Sequence, residues 1–437
     1  MNSVIQSFTI FLFGLAVALG AAAEEAPAGH PPIDEQHGGL PKDKSVDHPL
    51  NGKLIVLKGG EVKSYYPPVY LAFDGPALPE GAKVWVEQLG AGNVYPATLR
   101  DGQFVFVPKG IRPGGESRYR VVVEKSVMAP VVRVEKKAGE DVVEVYIEDQ
   151  LFTAYHYTND NKKPFLWPVL SEGGIPVTRS FPMDETDVPK FAKDHPHHRS
   201  WWSAYGHVGP ADVWVEGDGS GFQRSGEVTF GSGDAYGWIR AKNTWNTAED
   251  QPVVHEEREF RFHATPEKGR LTDMRVTFRT VEGDVLFKDT KEGGICAVRM
   301  SPELSYRNGI ITNAQGDVGE ENLWGKPSPW CDYSGPIEGH GTRGITIMDH
   351  NANLRHPTSW HVRKYGLMGA NSFGYSHFTE AEYNKGLMPD NGDYTLKAGE
   401  DLTFNYRVYV HSGDVTEAAV ADRYADYVTP PQAAWTE

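Results

Sequence analysis

Short apolar runs separated by turn residues fill the chain from Lys53 onward. The first group ends near Lys125 and comprises LIVL, YYPPVYLAF, AKVWVEQL, GQFVFVPKG and SRYRVVVEK. Runs of this kind, bounded by Gly, Pro and Asp, are typical of β-strands, and several of them at regular spacing are typical of a sandwich. The pattern therefore predicts a small β-sandwich over residues 51–126.

The strand pattern continues from residue 127 to about Val410, beginning with VVRVEKK and VVEVYIEDQLFTAYHY. Helical periodicity is confined to DVTEAAVADRYADYV, which has a capping acid at Asp414 and Glu417 three positions later. Its apolar positions are Val420, Tyr424 and Val428. We therefore expect an all-β fold, in which a large antiparallel β-sandwich of the supersandwich type spans residues 127–437 and carries a short C-terminal helix.

The first 50 residues differ in composition from the rest of the chain. Phe8–Gly20 is apolar and is followed by Ala21–Ala23, a pattern typical of a signal peptide over residues 1–23. Residues 24–50 are rich in Pro, Gly and charge, and are predicted to be a disordered leader. No later stretch is apolar enough to span a bilayer. We expect an exported protein, periplasmic or extracellular, without a membrane span.

Net charge and cysteine content limit the possible partners and the possible cross-links. The 437 residues carry a formal net charge of −16, which argues against nucleic acid and anionic membrane surfaces as partners. The chain has two cysteines, Cys296 and Cys331. In an oxidising compartment we expect them to form a disulfide, and two buried free thiols are the alternative.

A histidine-rich segment, KDHPHHRSWWSAYGHVGPADVWVEG, extends from Lys193 to Gly217. It holds four of the sixteen histidines. If the segment is a strand, alternation places one set of side chains on the same face. That set is His197, Arg199, Trp201, Ser203, Tyr205 and His207.

A second segment, HPTSWHVRKYG, repeats this arrangement. His361, Arg363 and Tyr365 alternate with Val362 and Lys364. Buried imidazole, guanidinium and phenol groups cost free energy unless they find partners, so this strand should line a cleft or a polar network. A loop over residues 319–335 adds residue types that often surround ligand sites. Among them are Glu320, Trp324 and Asp332.

Three kinds of chemistry suit these residues. His195 and His197 can supply two metal ligands, but no HExxH-type spacing is present, so the sequence requires no cofactor and predicts no metal site, while a divalent metal stays open. Glycoside hydrolysis needs two paired carboxylates, which sequence alone does not identify. Elimination beside a uronate carboxylate needs a His or Tyr base and a cationic group, the set offered by the second segment.

We therefore predict a carbohydrate-active enzyme that cleaves glycosidic bonds of an oligo- or polysaccharide, by hydrolysis or β-elimination. The predicted catalytic residues are His197, His207, His361 and Tyr365. The predicted substrate-binding residues are His195, His198, Arg199, Trp201, Trp214, Glu320, Trp324, Asp332 and Arg363. Two alternatives stay open: a non-catalytic glycan-binding protein that uses Trp201, Trp214 and Trp324, and a metal-dependent enzyme that uses the HPHH histidines.

Several segments, in this order, resemble a bacterial family labelled PmoA or methane oxygenase-like, which is otherwise a family of unknown function. The resemblance covers about residues 150–428. The family usually has Gly where Ser200 stands, a Leu-Trp-Phe type of run in place of Trp201–Ser203, and Asp in place of Val208. The segments are TRSFPM, DHPHHRSWWSAYGHVGPADVW, DTKEGG, GEENLWGKPSPWCDYSG and MDHNANLRHPTSWHVRKYGLMGANSFG.

The oxygenase activity implied by that label does not fit the chain. A membrane methane monooxygenase subunit needs several spanning helices, and none is predicted after the signal peptide. Members of the family are common among exported bacterial proteins for carbohydrate degradation, so the resemblance implies a role on glycans. The β-rich pattern is also similar to galactose-mutarotase-like and polysaccharide-lyase proteins.

Overall fold

The computed structural model describes residues 45–186, 188–265, 269–305 and 308–436. The predicted signal peptide, and the predicted leader as far as residue 44, lie outside the described residues. Within the described part of the chain, no helix is both long enough and apolar enough to cross a membrane.

The described residues are predominantly strands, which confirms the all-β prediction. In chain order the strands are β1 (Leu54–Lys58), β2 (Val69–Ala72), β3 (Ala82–Gln88), β4 (Val94–Arg100), β5 (Gln103–Phe106), β6 (Glu116–Lys125), β7 (Val132–Lys136), β8 (Val142–Ile147), β9 (Gln150–His156), β10 (Phe165–Ser171), β11 (Ile175–Pro176), β12 (Trp201–Tyr205), β13 (Phe222–Gly231), β14 (Tyr236–Asn246), β15 (Pro252–His263), β16 (Arg270–Thr280), β17 (Val285–Phe287), β18 (Gly293–Arg299), β19 (Ile310–Asn313), β20 (Trp330–Ile337), β21 (Gly341–Asp349), β22 (Ser359–Arg363), β23 (Leu367–Asn371), β24 (Tyr394–Leu396), β25 (Leu402–Ser412) and β26 (Gln432–Thr436). The α-helices are α1 (Glu320–Leu323), α2 (Tyr375–Phe378) and α3 (Val420–Val428).

The N-terminal strands form a seven-stranded antiparallel sheet in the order β2-β5-β4-β3-β6-β1-β26. Its two outer strands approach each other, because Trp435 of β26 donates a hydrogen bond from Nε1 to the Ala72 carbonyl at 2.7 Å and its ring lies 5.3 Å from that of Phe104. The sheet therefore curls around its own apolar core. Among the described residues, the last strand, β26, pairs with the first, β1, whereas the domain division expected from sequence places residues 432–436 with the large sandwich.

Two large antiparallel sheets follow. The nine-stranded sheet has the order β22-β23-β18-β12-β10-β9-β8-β7 with β11 paired to β10, and the eight-stranded sheet has the order β13-β14-β15-β16-β25-β21-β20-β19. Their inner faces share the main core, where Trp201 of one sheet packs edge-on against Phe260 of the other at 5.5 Å. Burial of this apolar surface is what holds the two sheets together.

The outer face of the nine-stranded sheet carries a smaller apolar cluster of its own. Its buried members are Phe165, Trp202, Ala204, Trp214, Ala297 and Leu367. On β12, Trp202 and Ala204 belong to this cluster, whereas Trp201 and Tyr205 belong to the main core. The histidine-rich segment lies against the outer cluster.

The C-terminal helix forms as predicted, with a shorter extent. Asp414 accepts a hydrogen bond from the Glu417 N–H at 3.0 Å, and Glu417 accepts one from the Asp414 N–H at 3.2 Å, which is the reciprocal pattern of a capping box. Ala419 then adopts a left-handed φ of 51°, which breaks the first turn. The α-helix therefore begins at Val420, whose side chain packs with Tyr409 on the outer face of the eight-stranded sheet.

The predicted disulfide is wrong. Cys296 of β18 and Cys331 of β20 are free thiols, buried in the main core on different sheets. Burial raises the pKa of Cys296 to about 12 and that of Cys331 well above its ordinary value. A thiol that stays protonated behaves as a small apolar side chain.

Both cysteines should therefore resist thiol reagents in the native protein and react only after unfolding, because only the thiolate attacks the reagent. Thiol titration of unreduced protein with Ellman's reagent checks this, first in buffer and then in guanidinium chloride. We expect no reaction in buffer and reaction of both thiols on denaturation. Protein that shows no reactive thiol in the denaturant would contain the disulfide after all.

Candidate functional site

The histidine-rich segment is a loop that leads into a strand, not one continuous strand. Strand β12 begins only at Trp201, and the preceding residues include two with left-handed backbone, His195 (φ 43°) and Ser200 (φ 58°). The predicted alternation from His197 to His207 is therefore wrong. Trp201 faces the main core, and the histidines before it are positioned by the loop.

Arg179 organises this loop. Its guanidinium is buried and donates hydrogen bonds to the carbonyls of Ala192, Asp194, His195 and His198 at 2.8–3.1 Å. The same group forms an ion pair with the Asp194 carboxylate at 2.8 Å. A guanidinium offers five donors in a fixed plane, so one side chain satisfies the carbonyls of a turn that has no strand partner.

Arg299, at the end of β18, is the second buried arginine of the cluster. It donates to the same Asp194 oxygen at 2.5 Å and to Nδ1 of His198 at 3.0 Å, and its guanidinium lies 4.4 Å from the centre of the Tyr365 ring. Burial alone would raise the pKa of Asp194. The hydrogen bond with His195 and the charges of the two arginines instead hold that pKa well below its ordinary value.

His195 is the exposed imidazole of the cluster. Its Nδ1 lies 2.8 Å from Oδ2 of Asp194. Because an ionised carboxylate only accepts hydrogen bonds, Nδ1 carries a proton and donates it to Asp194. The His195 ring stacks on Tyr365 at 4.9 Å and on His198 at 4.9 Å. Burial raises the pKa of the Tyr365 phenol to about 12.

The other three histidines of the cluster are neutral. Burial, with the charge of Lys163, lowers the pKa of His197 to about 3. His198 accepts a hydrogen bond from Arg299, and burial keeps its pKa well below the ordinary value. Burial, with the charge of Arg363, has the same effect on His361. The rings of His197 and His361 contact Trp214 at 6.1 Å and 6.0 Å.

The predicted alternation in the second segment is found. Trp360 and Val362 of β22 lie in the main core, while His361 and Tyr365 reach the outer cluster. Strands β12 and β22 are not adjacent, because β18 and β23 lie between them in the sheet. The two segments meet instead through side chains, since Trp214 contacts histidines of both.

A buried cluster of three charged side chains, Lys163, Arg199 and Glu216, packs beneath the histidine-rich loop. Lys163 donates to the Trp214 carbonyl at 2.6 Å and lies 3.4 Å from Glu216. Arg199 binds the same carboxylate through two nitrogens at 2.7–2.9 Å. Burial lowers the pKa of Lys163 to about 8. Arg199 is thus committed to an acid of the protein itself, in contrast to the substrate-binding role predicted for it.

Glu320, Trp324 and Arg363 come together beside this cluster. Glu320 accepts hydrogen bonds from the Lys364 N–H at 2.7 Å and from Arg363 at 3.4 Å. The Arg363 guanidinium lies 4.8 Å from the centre of the Trp324 ring. The three residues line a shallow hollow together with Tyr383.

Other predicted site residues lie elsewhere or are inaccessible. Trp201 and Trp214 are each 1% exposed, so neither offers a ring face to a substrate. Asp332 is fully buried on the eight-stranded sheet, where it accepts hydrogen bonds from His411 and Thr346 at 2.8 Å each. His207 is exposed beyond the end of β12, and among the described residues no ring contact joins it to the cluster.

Sequence reasoning missed the two arginines and the lysine that hold the site together. Arg179 stands in the family segment TRSFPM, and the signal for the other two was position: Lys163 lies two residues before an apolar strand and Arg299 ends one, GGICAVRM. A lone cation in such a place must find partners on burial. Within the described residues, no group of three or more His, Cys, Asp or Glu side chains converges as metal ligands would.

Replacing Asp194 by Asn should lower the free energy of unfolding and make it depend less on pH in the acid range. We expect a loss of about 3 kcal/mol, at the low end for a broken buried pair because the Asp194 side chain is 30% exposed. The depressed pKa of Asp194 contributes stability that is present above about pH 4, the unfolded value, and is lost as the pH falls toward the folded value.

Denaturant unfolding of the wild type and of Asp194→Asn, from pH 7 down to pH 3, measures both effects. The difference between the two proteins should shrink as the pH falls. Asp160→Asn, at an exposed aspartate, is the control and should match the wild type at every pH. A constant difference between the wild type and Asp194→Asn would contradict the assignment of the depressed pKa.

Comparison with known families gives one match. The model of a family of unknown function (DUF6807) matches residues 142–425, which include the loop, Arg299 and the second segment. The description of that family mentions neither a methane oxygenase nor a carbohydrate activity. A search of curated proteins returns no match.

Two solved structures resemble the chain weakly. One is a protein in the glycosyl hydrolase family 38 from Enterococcus faecalis, with 10% identity and a TM-score of 0.40 over 90% of this chain and 49% of that chain. The other is an alpha-mannosidase from Enterococcus faecalis V583, with 10% identity and a TM-score of 0.40 over 90% of this chain and 47% of that chain. The chain thus spans about half the length of the structures it matches.

Proposed function

The chain belongs to this family of unknown function, and we propose that it is an exported enzyme that cleaves glycosidic bonds of a uronate-containing glycan by β-elimination. The active site in this proposal is the cluster around His195 and Tyr365 on the outer face of the nine-stranded sheet. Its support is the arrangement of acids and bases there: the carboxylates are paired with cations, and the His195 imidazole stacks on the Tyr365 phenol ring at 4.9 Å, which places a base next to an acid.

The pairing of the carboxylates disfavours hydrolysis. Asp194 is bound by two arginines, and Glu216 by Lys163 and Arg199. Burial would raise the pKa of Glu216, but Lys163 and Arg199 hold it below its ordinary value. A glycoside hydrolase of the common type needs one carboxyl group that keeps its proton to protonate the leaving oxygen. Asp194 and Glu216 are both ionised at neutral pH.

His195 is the base in this proposal, in place of His197. Its side chain is 41% exposed. Asp194 accepts the Nδ1 hydrogen bond, which leaves Nε2 as the nitrogen that takes the substrate proton, and it stabilises the imidazolium that forms. His197 has a pKa of about 3 and is a weak base. Sequence spacing gave no reason to prefer His195 over His197 as the base, because that assignment depends on which of the two imidazoles is hydrogen-bonded to Asp194.

The elimination step is then as follows. Nε2 of His195 takes the proton from C5, next to the uronate carboxylate, and the electron pair forms the C4–C5 double bond as the C4–O bond breaks. Tyr365, protonated at neutral pH because its pKa is about 12, donates its proton to the leaving oxygen. Arg363 and Lys291 are partly exposed and pair with Glu320 and Glu292. In this proposal they exchange those partners for the substrate carboxylate, on which negative charge develops.

The hollow beside the cluster extends the site. Trp324 and Tyr383 line it together with Arg363, so an adjacent sugar can contact aromatic and charged groups at once. The alternative of a non-catalytic binding module is weakened, because Trp201 and Trp214, two of the three tryptophans it would use, are buried.

A panel of polysaccharides, assayed for reducing ends and for absorbance of unsaturated uronate, tests the proposal. We expect both signals with a uronate-containing glycan. Reducing ends without the unsaturated product would show hydrolysis and overturn the elimination mechanism. The absence of both signals over the whole panel would favour the binding alternative.

His195→Ala should lower turnover about 10²–10⁴-fold, the usual contribution of a general base, and Tyr365→Phe should lower it similarly. His255→Ala is the matched control, since His255 is an exposed histidine on the other sheet, and it should retain wild-type turnover. Thermal melts of all variants separate loss of chemistry from loss of fold. A folded His195→Ala variant with full activity would rule out the assigned base.

A further inference from the structure

A second polar cavity lies on the outer face of the eight-stranded sheet, on the opposite side of the sandwich from the histidine cluster. We propose that it binds an anionic sugar residue, one that carries a carboxylate or sulfate group. The residues that the argument uses are Tyr70, Arg261, Arg275, His350, Asn405 and Tyr427, all of which line the cavity.

Three separate parts of the chain build this cavity. Tyr70 comes from β2 of the N-terminal sheet, and Tyr427 comes from helix α3. Arg261, Arg275 and Asn405 come from β15, β16 and β25, which are adjacent in the eight-stranded sheet. The cavity therefore forms only where the N-terminal sheet and the C-terminal helix both meet the sandwich.

The carboxylates in the cavity wall are already occupied. Asp273 accepts two hydrogen bonds from Arg407 at 2.6 Å and 2.9 Å, one from His263 at 2.9 Å and one from the Tyr70 hydroxyl at 3.3 Å. Glu259 accepts hydrogen bonds from Arg261 at 2.7 Å and from Arg240 at 3.0 Å. Neither acid is left as the principal acceptor for a ligand.

The remaining polar groups are mainly donors. Arg275 is exposed at the cavity rim, and a guanidinium binds carboxylate or sulfate oxygens through two parallel N–H groups. Nδ1 of His350 accepts a hydrogen bond from the Ala352 N–H at 3.1 Å, so the ring proton is on Nε2. Asn405 adds an amide. A wall in which donors outnumber available acceptors, with two tyrosines beside it, fits a sugar ring that bears an anionic group.

The cavity wall is held in place by the protein itself. Asn353 donates to Asp349 at 2.7 Å and to the Asn405 carbonyl at 2.7 Å, and it accepts from the Asn405 N–H at 2.7 Å. This fixes the loop that carries His350, whose ring lies 4.9 Å from that of Tyr427. A site ordered before the ligand arrives loses less conformational entropy on binding.

Calorimetric titration of the full chain with D-glucuronate, D-glucose 6-sulfate and D-glucose tests the inference. We expect the two anionic sugars to bind more tightly than glucose. Arg275→Ala should weaken their binding about tenfold or more, the usual effect of losing a charge-assisted hydrogen bond. Arg279→Ala is the matched control, because Arg279 lies four residues after Arg275 on the same face of β16, pairs with Asp401 and is outside the cavity wall. It should bind as the wild type does.

The inference does not rest on the elimination chemistry, since the assay measures binding without turnover. A loss of glucuronate binding in Arg363→Ala but not in Arg275→Ala would move the binding to the histidine cluster and overturn the inference. Equal losses in Arg275→Ala and Arg279→Ala would show nonspecific charge attraction and also overturn it. So would the absence of binding by any of the three sugars.

Discussion

The histidine cluster depends on one shared interaction, in which two buried arginines, Arg179 after β11 and Arg299 at the end of β18, bind the carboxylate of Asp194. Each guanidinium would be costly to bury alone, and the carboxylate supplies the charge that both need. Because the arginines also satisfy loop carbonyls and His198, the same interaction fixes the loop and the proton positions of two imidazoles. Removal of the carboxylate would therefore affect the fold and the site together.

A similar arrangement occurs on the opposite side of the sandwich. Asp273 is bound by Arg407 and His263, and Tyr70 of the N-terminal sheet donates to it. In both places a carboxylate on an outer sheet face, paired with arginine, orients histidine and lies near a tyrosine. On both outer faces of the sandwich, arginine thus compensates the charge of a partly buried carboxylate. Of these two carboxylates, only Asp194 has an exposed imidazole beside it.

Sequence reasoning succeeded where the pattern is local. Alternation identified the strands and the outward set His361, Arg363 and Tyr365, and the capping pair Asp414 and Glu417 marked the C-terminal helix. It failed where the outcome depends on distant partners. The loop before Trp201 has the composition of an alternating strand, but Arg179, some 20 residues earlier in the chain, supplies donors that a turn can use. Nothing near Cys296 or Cys331 reveals that they occupy different sheets.

The pairing of β26 with β1 brings Trp435 opposite Ile55 in the ladder. During synthesis the edge of β1 has no partner on this side until β26 has left the ribosome, and an unpaired strand edge is a template for pairing with another chain. Contacts between positions this far apart in sequence also form slowly, because a very long loop must close first. The N-terminal sheet therefore begins to be synthesised before the two large sheets and is completed after them.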